Sequence, residues 1–223
     1  MVEEDLHTRL STVLPTVREH AVSVDADANF PKASIEALGA AGLLGLTLSA
    51  DVGGLGATPD QFATAVAAVA EGCGSTAMVY LMHLSAANVL AAATPAGHSD
   101  VLGELASGTK LGTLAFSERG SRSHFWAPVS GLVEADGGLR LVAEKSWVTA
   151  ANRADVVVAS VRSVDAAGPM DCELYLVGGD DDGYVVTGGF DGLACVAMTL
   201  PRWTCRSSSA SAIGSGMPPV GSV

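Results

Sequence analysis

The sequence predicts an α+β chain in consecutive units: an all-α helical domain over residues 1–110, then a small β-barrel domain over 111–193. Three observations carry this. Apolar residues recur at helical spacing through the first half. From Leu111 onward they gather in short strand-like runs, and turn-forming segments such as Ala135-Asp136-Gly137-Gly138 separate those runs. Helices that precede strands, instead of alternating with them, argue for two stacked layers and against a βαβ weave.

Asp5–His20 carries Leu6, Leu10, Val13, Leu14 and Val17 on one helical face, and Pro15 within it predicts a kink or an early end. Pro31 opens a second helix to Ala41, with Gly42 as its stop. Leu43–Leu48 is a short apolar run, followed by a Gly53-Gly54-Leu55-Gly56 loop. Thr58-Pro59-Asp60 starts a third helix that Gly72 and Gly74 break, and Ser75 caps a fourth that reaches about Ala93, stopped by Pro95. A fifth spans roughly Ser99–Ala106. Strands are expected at Leu111–Phe116, Pro128–Glu134, Leu139–Ser146, Val156–Arg162, Glu173–Val177 and Tyr184–Thr187, with Asp136-Gly137 as a hairpin turn. Residues 194–223 lose all period and are rich in Ser and Pro, so an irregular tail is expected there.

Hydrophobic residues make up 48% of the 223 and charged ones 16%, which allows a sizeable core and argues against wholesale disorder. The formal charge of -12 repels phosphate backbones, so nucleic acid is not an expected partner. No uninterrupted apolar run reaches the length of a membrane span, and Met1-Val2-Glu3-Glu4-Asp5 does not look like a signal peptide, which makes the cytoplasm the expected compartment. Cys73, Cys172, Cys195 and Cys205 include no Cys-x-x-Cys pair, and no metal site is expected.

The chemistry concentrates in Leu111–Thr149. Leu-Gly-Thr-Leu-Ala-Phe-Ser-Glu-Arg-Gly-Ser-Arg-Ser opens it and Glu-Lys-Ser-Trp-Val-Thr closes it. Each polar turn follows an apolar run. Hydroxyls, glycine-freed backbone groups and one indole suit a flat ring with polar edges and a phosphate tail. These segments resemble the flavin-cradling part of the acyl-CoA dehydrogenase family. So do Phe30-Pro31, Leu38–Leu46 and Gly53–Gly56 in the N-terminal part, Gly74-Ser75-Thr76-Ala77-Met78 with His83, and Lys145–Ala151 followed by Ala154-Asp155. The resemblance covers about Phe30–Leu193.

The resemblance implies FAD as cofactor, held by Leu114, Phe116, Ser117, Ser123, Trp147, Val148 and Thr149, with Ser123 also touching substrate. It implies α,β-dehydrogenation of an acyl-CoA thioester, an electron-transfer partner, a place in fatty acid or lipid metabolism, and a homo-oligomer for the full-length family. Ser and Thr hydroxyls can donate or accept as a ring changes redox state. Where the family has Pro after the Glu and Asp after the later Ser, this chain has Arg119 and His124, and Arg122 adds a cation. That departure keeps open a flavin-dependent monooxygenase on the same fold. The family's catalytic Glu base lies in a C-terminal helical domain with no counterpart here, so no catalytic residue is assigned, and little activity is expected of this chain alone. A non-catalytic remnant that binds no flavin is the third reading.

After Leu193 the family continues with a Leu-Gly-x-Arg-Gly-type segment. Restoring one nucleotide after the Leu193 codon yields Gly-Leu-Arg-Gly-Asn-Asp-Ser-Ala-Pro-Val-Asp-Leu with suitable third bases. Its two Asp are nearly forced, because the Met198 and Trp203 codons end in G. Residues 194–223 are therefore expected to be a frameshift product.

Other features have plainer readings. His83 on an apolar helix is expected to be a satisfied core histidine, Gly53–Gly56 a turn, and Asp180–Asp182 a solvated turn. Trp147 could equally be barrel core. Glu71 and Glu118 have no carboxylate partner at obvious spacing, so neither is expected to act as a general acid.

Overall fold

A computed structural model describes residues 3–122, 124–135, 138–187, the backbone of 202–207, and 210–213. Five helices come first: α1 (Glu3–Ala26), α2 (Lys32–Ala40), α3 (Pro59–Gly72), α4 (Gly74–Ala92) and α5 (Val101–Ser107). The strands follow: β1 (Gly112–Ala115), β2 (Gly131–Ala135), β3 (Gly138–Lys145), β4 (Val156–Arg162), β5 (Cys172–Gly178), β6 (Tyr184–Thr187), β7 (Arg202–Ser207) and β8 (Ser211–Ile213).

The helical order is as expected, with two corrections. α4 begins at Gly74 behind Cys73, so Ser75 lies inside the helix and does not cap it. Pro15 does not shorten α1, which runs unbroken from Glu3 to Ala26. The face formed by Leu6, Leu10, Val13, Val17 and Val24 is buried, and each such side chain contributes about 1.5–3 kcal/mol. That packing outweighs the single backbone hydrogen bond a proline removes. The Leu43–Gly45 run is a 3-10 turn entered through Gly42 at φ 73°. Thr58 and Gln61 form a reciprocal capping box at the start of α3. Gly54 is required by space: an added Cβ would lie 2.1 Å from the Leu48 carbonyl oxygen.

By length and composition α4 could cross a membrane, with mean hydropathy 1.2 over its best window, yet 56% of that window is buried inside the protein. It is the central core helix. Tyr80 donates to the Leu43 carbonyl at 2.9 Å, and His83 joins the helices to the sheet.

The strands form one open mixed sheet in the order β6-β7-β3-β2-β4-β5-β8, with β1 pairing parallel to β4. This corrects the expected barrel: among the described residues β6 and β8 are not paired, so the sheet does not close. The hairpin of β2 and β3 forms as expected, with Ala135 opposite Gly138, though Asp136 and Gly137 lie outside the described residues. The tail expected to be irregular contains two strands. β7 pairs with β3 and β6, and β8 pairs with β5. Backbone pairing asks little of side-chain pattern, so periodicity alone misses such segments.

Candidate functional site

Two loops meet at one end of the sheet: Phe116–Ser130 after β1 and Ser146–Asp155 after β3. The Ser146 N–H donates to the Ser117 carbonyl at 2.8 Å. Beneath that contact lies a buried ion pair, with the Lys145 ammonium 2.5 Å from Glu118 Oε1 and both side chains fully buried. Glu118 Oε2 accepts the backbone N–H groups of Val129 (2.7 Å) and Ser130 (2.8 Å). Lys145 also donates to the Ser160 carbonyl, and its Nζ lies 3.3 Å from Ser160 Oγ. One carboxylate and one ammonium thus join both loops and β4. Burial lowers the Lys145 pKa, and Glu118 opposes that shift. Such a pair holds only because nearly every lone pair and proton is used. Sequence reasoning weighed Glu118 only against other carboxylates and so missed its basic partner. The available signal was a Lys ending an apolar strand inside one motif and a Glu inside the other.

Above the pair is an open depression of about 440 Å³ lined by Ser117, Glu118, Arg119, Gly120, Ser121, Arg122, Phe125, Ser146 and Trp147. Two of its residues sit in left-handed backbone, Arg122 at φ 50° and Trp147 at φ 60°. L-residues rarely adopt that conformation, and its retention marks places where the fold over-determines a side chain's direction. Trp147 is 56% exposed, which rules out the barrel-core reading. Among the described residues the Ser117 and Ser146 hydroxyls make no hydrogen bond within the protein, and both residues line the depression.

The predicted residues divide. Ser117 and Trp147 line the depression. Leu114 and Phe116 turn inward, half-buried against the cluster of α4, α5 and the sheet, leaving only their backbone for a ligand. Val148 is fully buried in the sheet core. Thr149 is almost buried, and its carbonyl accepts the Thr113 hydroxyl at 2.8 Å. Ser123 lies outside the described residues. Asp155 of the second motif is structural, since its carboxylate accepts the Leu111 N–H at 2.8 Å and sets the start of β1.

His83 is a satisfied core residue. The Gly112 N–H donates to its Nδ1 at 3.0 Å, so the proton sits on Nε2, 3.1 Å from the Leu44 carbonyl. Burial lowers its pKa to about 4. A larger cleft of about 890 Å³ lies elsewhere, between α5 and the segment Gly178–Asp181. Its charged lining mixes Asp100, Glu104, Asp155, Asp180 and Asp181 with Lys110 and Arg153. None of the predicted flavin residues that the structure describes lines it.

Residues 11–109 match the family model described as acyl-CoA dehydrogenase, N-terminal domain. Among curated relatives, the probable acyl-CoA dehydrogenase YngJ of Bacillus subtilis is 28% identical over 78% of this chain and 47% of its own length. The amino sugar nitrososynthase RubN8 of Streptomyces rubradiris is 28% identical over 85% of this chain and 46% of its own. The fold is shared with butyryl-CoA dehydrogenase from Megasphaera elsdenii, with a TM-score of 0.82 and 15% identity over 96% of this chain and 60% of that one. It is also shared with PigA, solved with FAD and proline, with a TM-score of 0.80 and 16% identity over 96% and 59%. The chain is thus similar, through its N-terminal and middle parts, to acyl-CoA dehydrogenases. It spans about half the length of the curated relatives it matches.

Proposed function

We propose that this chain supplies the flavin-binding part of an FAD-dependent oxidoreductase that desaturates an acyl thioester. The observation that carries this reading is the depression where the two loops meet, with exposed Trp147 and unspent hydroxyls of Ser117 and Ser146 above the Glu118–Lys145 pair. The residues fit a flavin in kind: a flat aromatic neighbour, hydroxyls able to donate or accept, and two arginines for an anionic tail. Ser117 and Trp147 would hold the ring from two sides. Leu114, Phe116 and Val148 would offer backbone only, and Thr149 and Ser123 complete the proposed set. Bound FAD supplies a two-electron acceptor. The protein's own task is to orient the ring and keep its polar edge hydrogen-bonded. No group of this chain is assigned as the base that takes a substrate proton.

The likeness to YngJ favours an acyl-CoA substrate with an external electron-transfer partner. The likeness to RubN8, together with Arg119 and His124 in the loop, favours the second reading, a flavin-dependent monooxygenase. The same division of the chain, with 111–193 as flavin domain and 194–223 as the product of a shifted reading frame, is part of the proposal. The coding sequence past Leu193 tests it: the other frame should run on open, and early stop codons there would refute it.

The function is tested by anaerobic titration of the FAD-loaded product of the restored reading frame, which would carry the base that this chain is expected to lack. Desaturation predicts bleaching of the flavin absorbance by an acyl-CoA thioester. A flavin reduced only by an external reductant, then reoxidised by oxygen with substrate hydroxylation, identifies the monooxygenase. A protein that takes up no FAD contradicts both.

A further inference from the structure

The loop that carries Ser117 and Glu118 also carries an aromatic pair outside the packed core. Among the described residues the exposed large aromatic side chains are Phe125 (52%), Trp126 (46%) and Trp147, and all three belong to the two loops of the site. Exposed apolar surface gathered in one place marks ground that a ligand or partner covers. Trp126 meets Phe125 edge to face, with ring centres 5.0 Å apart and planes at 86°, and its ring centre lies 5.1 Å from that of His124. Aromatic quadrupoles favour such an edge-on pair. The backbone beneath it is fixed. Glu118 accepts the Val129 and Ser130 N–H groups at one end, and Ser121 Oγ donates to the Glu118 carbonyl at the other, at 2.9 Å. Between them the His124 and Ala127 N–H groups close successive turns onto the Ser121 and His124 carbonyls, at 3.0 Å each. Phe125 is therefore held outward by its surroundings. It enters the depression from one loop and Trp147 from the other, and among the described lining they are the only apolar side chains; the rest is Ser, Gly, Arg and Glu.

We propose that Phe125 selects the substrate's reacting group and favours an alicyclic or aromatic ring over an open chain, with Trp126 as the residue that positions Phe125. The proposal rests on the flavin reading of the depression, and it deepens that reading by naming the shape of the group that comes to the flavin. The physical reasons are contact and entropy. A ring offers a broad face that an aromatic wall meets over its whole area, and contacts of this kind add to plain area burial. A ring also has few rotors to freeze, whereas an open chain loses that freedom on binding. With polar groups over the rest of the described lining, apolar recognition in the depression falls to Phe125 and Trp147. Trp147 is assigned to the flavin, which leaves Phe125 for the substrate.

The test is ligand-observed NMR titration of cyclohexanecarboxylate, benzoate and heptanoate, acids of equal carbon number, into the protein with and without saturating FAD. FAD uptake is followed separately by flavin fluorescence, so failure of the flavin reading and failure of the Phe125 assignment are told apart. The ring acids bind about fivefold tighter than heptanoate, the gain expected of one aromatic contact. Phe125→Ala brings all the acids within about twofold of one another. Trp126→Ala does the same and Trp126→Phe restores the preference, which marks a positioning residue. Val133→Ala, which trims an exposed apolar side chain of β2, leaves the preference unchanged. These variants melt with the wild type, because the side chains they trim are about half-exposed. Heptanoate binding as tightly as the ring acids overturns the proposal, and so does a preference that survives Phe125→Ala. A lower melting temperature in Phe125→Ala would make the aromatic pair structural. Self-association of the wild type that both alanine variants abolish would assign the pair to a second copy, and either result overturns the proposal too.

Discussion

Two buried polar centres, His83 and the Glu118–Lys145 pair, do different work. His83 is neutral, bonded on both nitrogens to backbone, and sealed among α4, the Leu43–Gly45 turn and β1. The ion pair is charged, joins side chains from two loops, and has an open depression with strained, exposed residues directly above it. Buried polarity alone therefore does not locate a site. What separates the centres is the surface above: core packing over His83, and unspent hydroxyls, arginines and Trp147 over the pair.

The largest expected effect breaks the pair. Lys145→Met leaves Glu118 buried and unpaired and costs about 3–5 kcal/mol. Adding Glu118→Gln should restore much of that loss, because no charge is then stranded. Urea unfolding of both singles and the double gives the coupling, and additive losses would show that the pair is not a unit. Next comes His83. Its pKa is about 4 when folded against 6.5 unfolded, so its contribution is complete above pH 6.5 and lost as pH falls toward 4. The shift corresponds to roughly 3 kcal/mol. His83→Asn should be less stable at pH 7.5 yet show a shallower fall between pH 6.5 and 4. Equal pH profiles would mean His83 carries none of the acid sensitivity.

Trp147→Gly relieves the left-handed strain, so stability should hold or rise by up to about 1 kcal/mol while FAD affinity drops. Loss of stability with unchanged affinity would reverse its assignment from ligand wall to structural turn. Smallest is Thr76→Val. The Thr76 hydroxyl is buried with no partner, and an isosteric methyl should be neutral or stabilising by about 1 kcal/mol. A clear loss in melting temperature would reveal a hydrogen bond not accounted for.

Much of this was legible in the sequence, for identifiable reasons. The helices follow apolar period and the stops at Gly42, Gly72 and Pro95. The strands from Leu111 to Thr187 follow their apolar runs. The polar turns that hold Ser117 and Trp147 are legible after such runs, and the resemblance singled out the two residues, which both line the depression. Illegible were features decided by tertiary contacts. Pro15 sits within α1 because packing overrides local propensity. The sheet stays open because pairing partners are not written in the pattern of single strands. Leu114 and Val148 give their side chains to the core, which the linear order of the motif does not reveal. Glu118 and Lys145 are 27 residues apart, and only the meeting of the loops makes them partners.

The central claim is that the depression between Ser117 and Trp147 is a flavin site held together by the buried pair. Titration of purified protein with FAD, followed by flavin fluorescence, tests it directly in the wild type, in Trp147→Gly and in the Glu118→Gln/Lys145→Met double variant. Saturable binding to the wild type is expected, and weaker binding to both variants while they remain folded. Equal binding by all three, or none by the folded wild type, would contradict it.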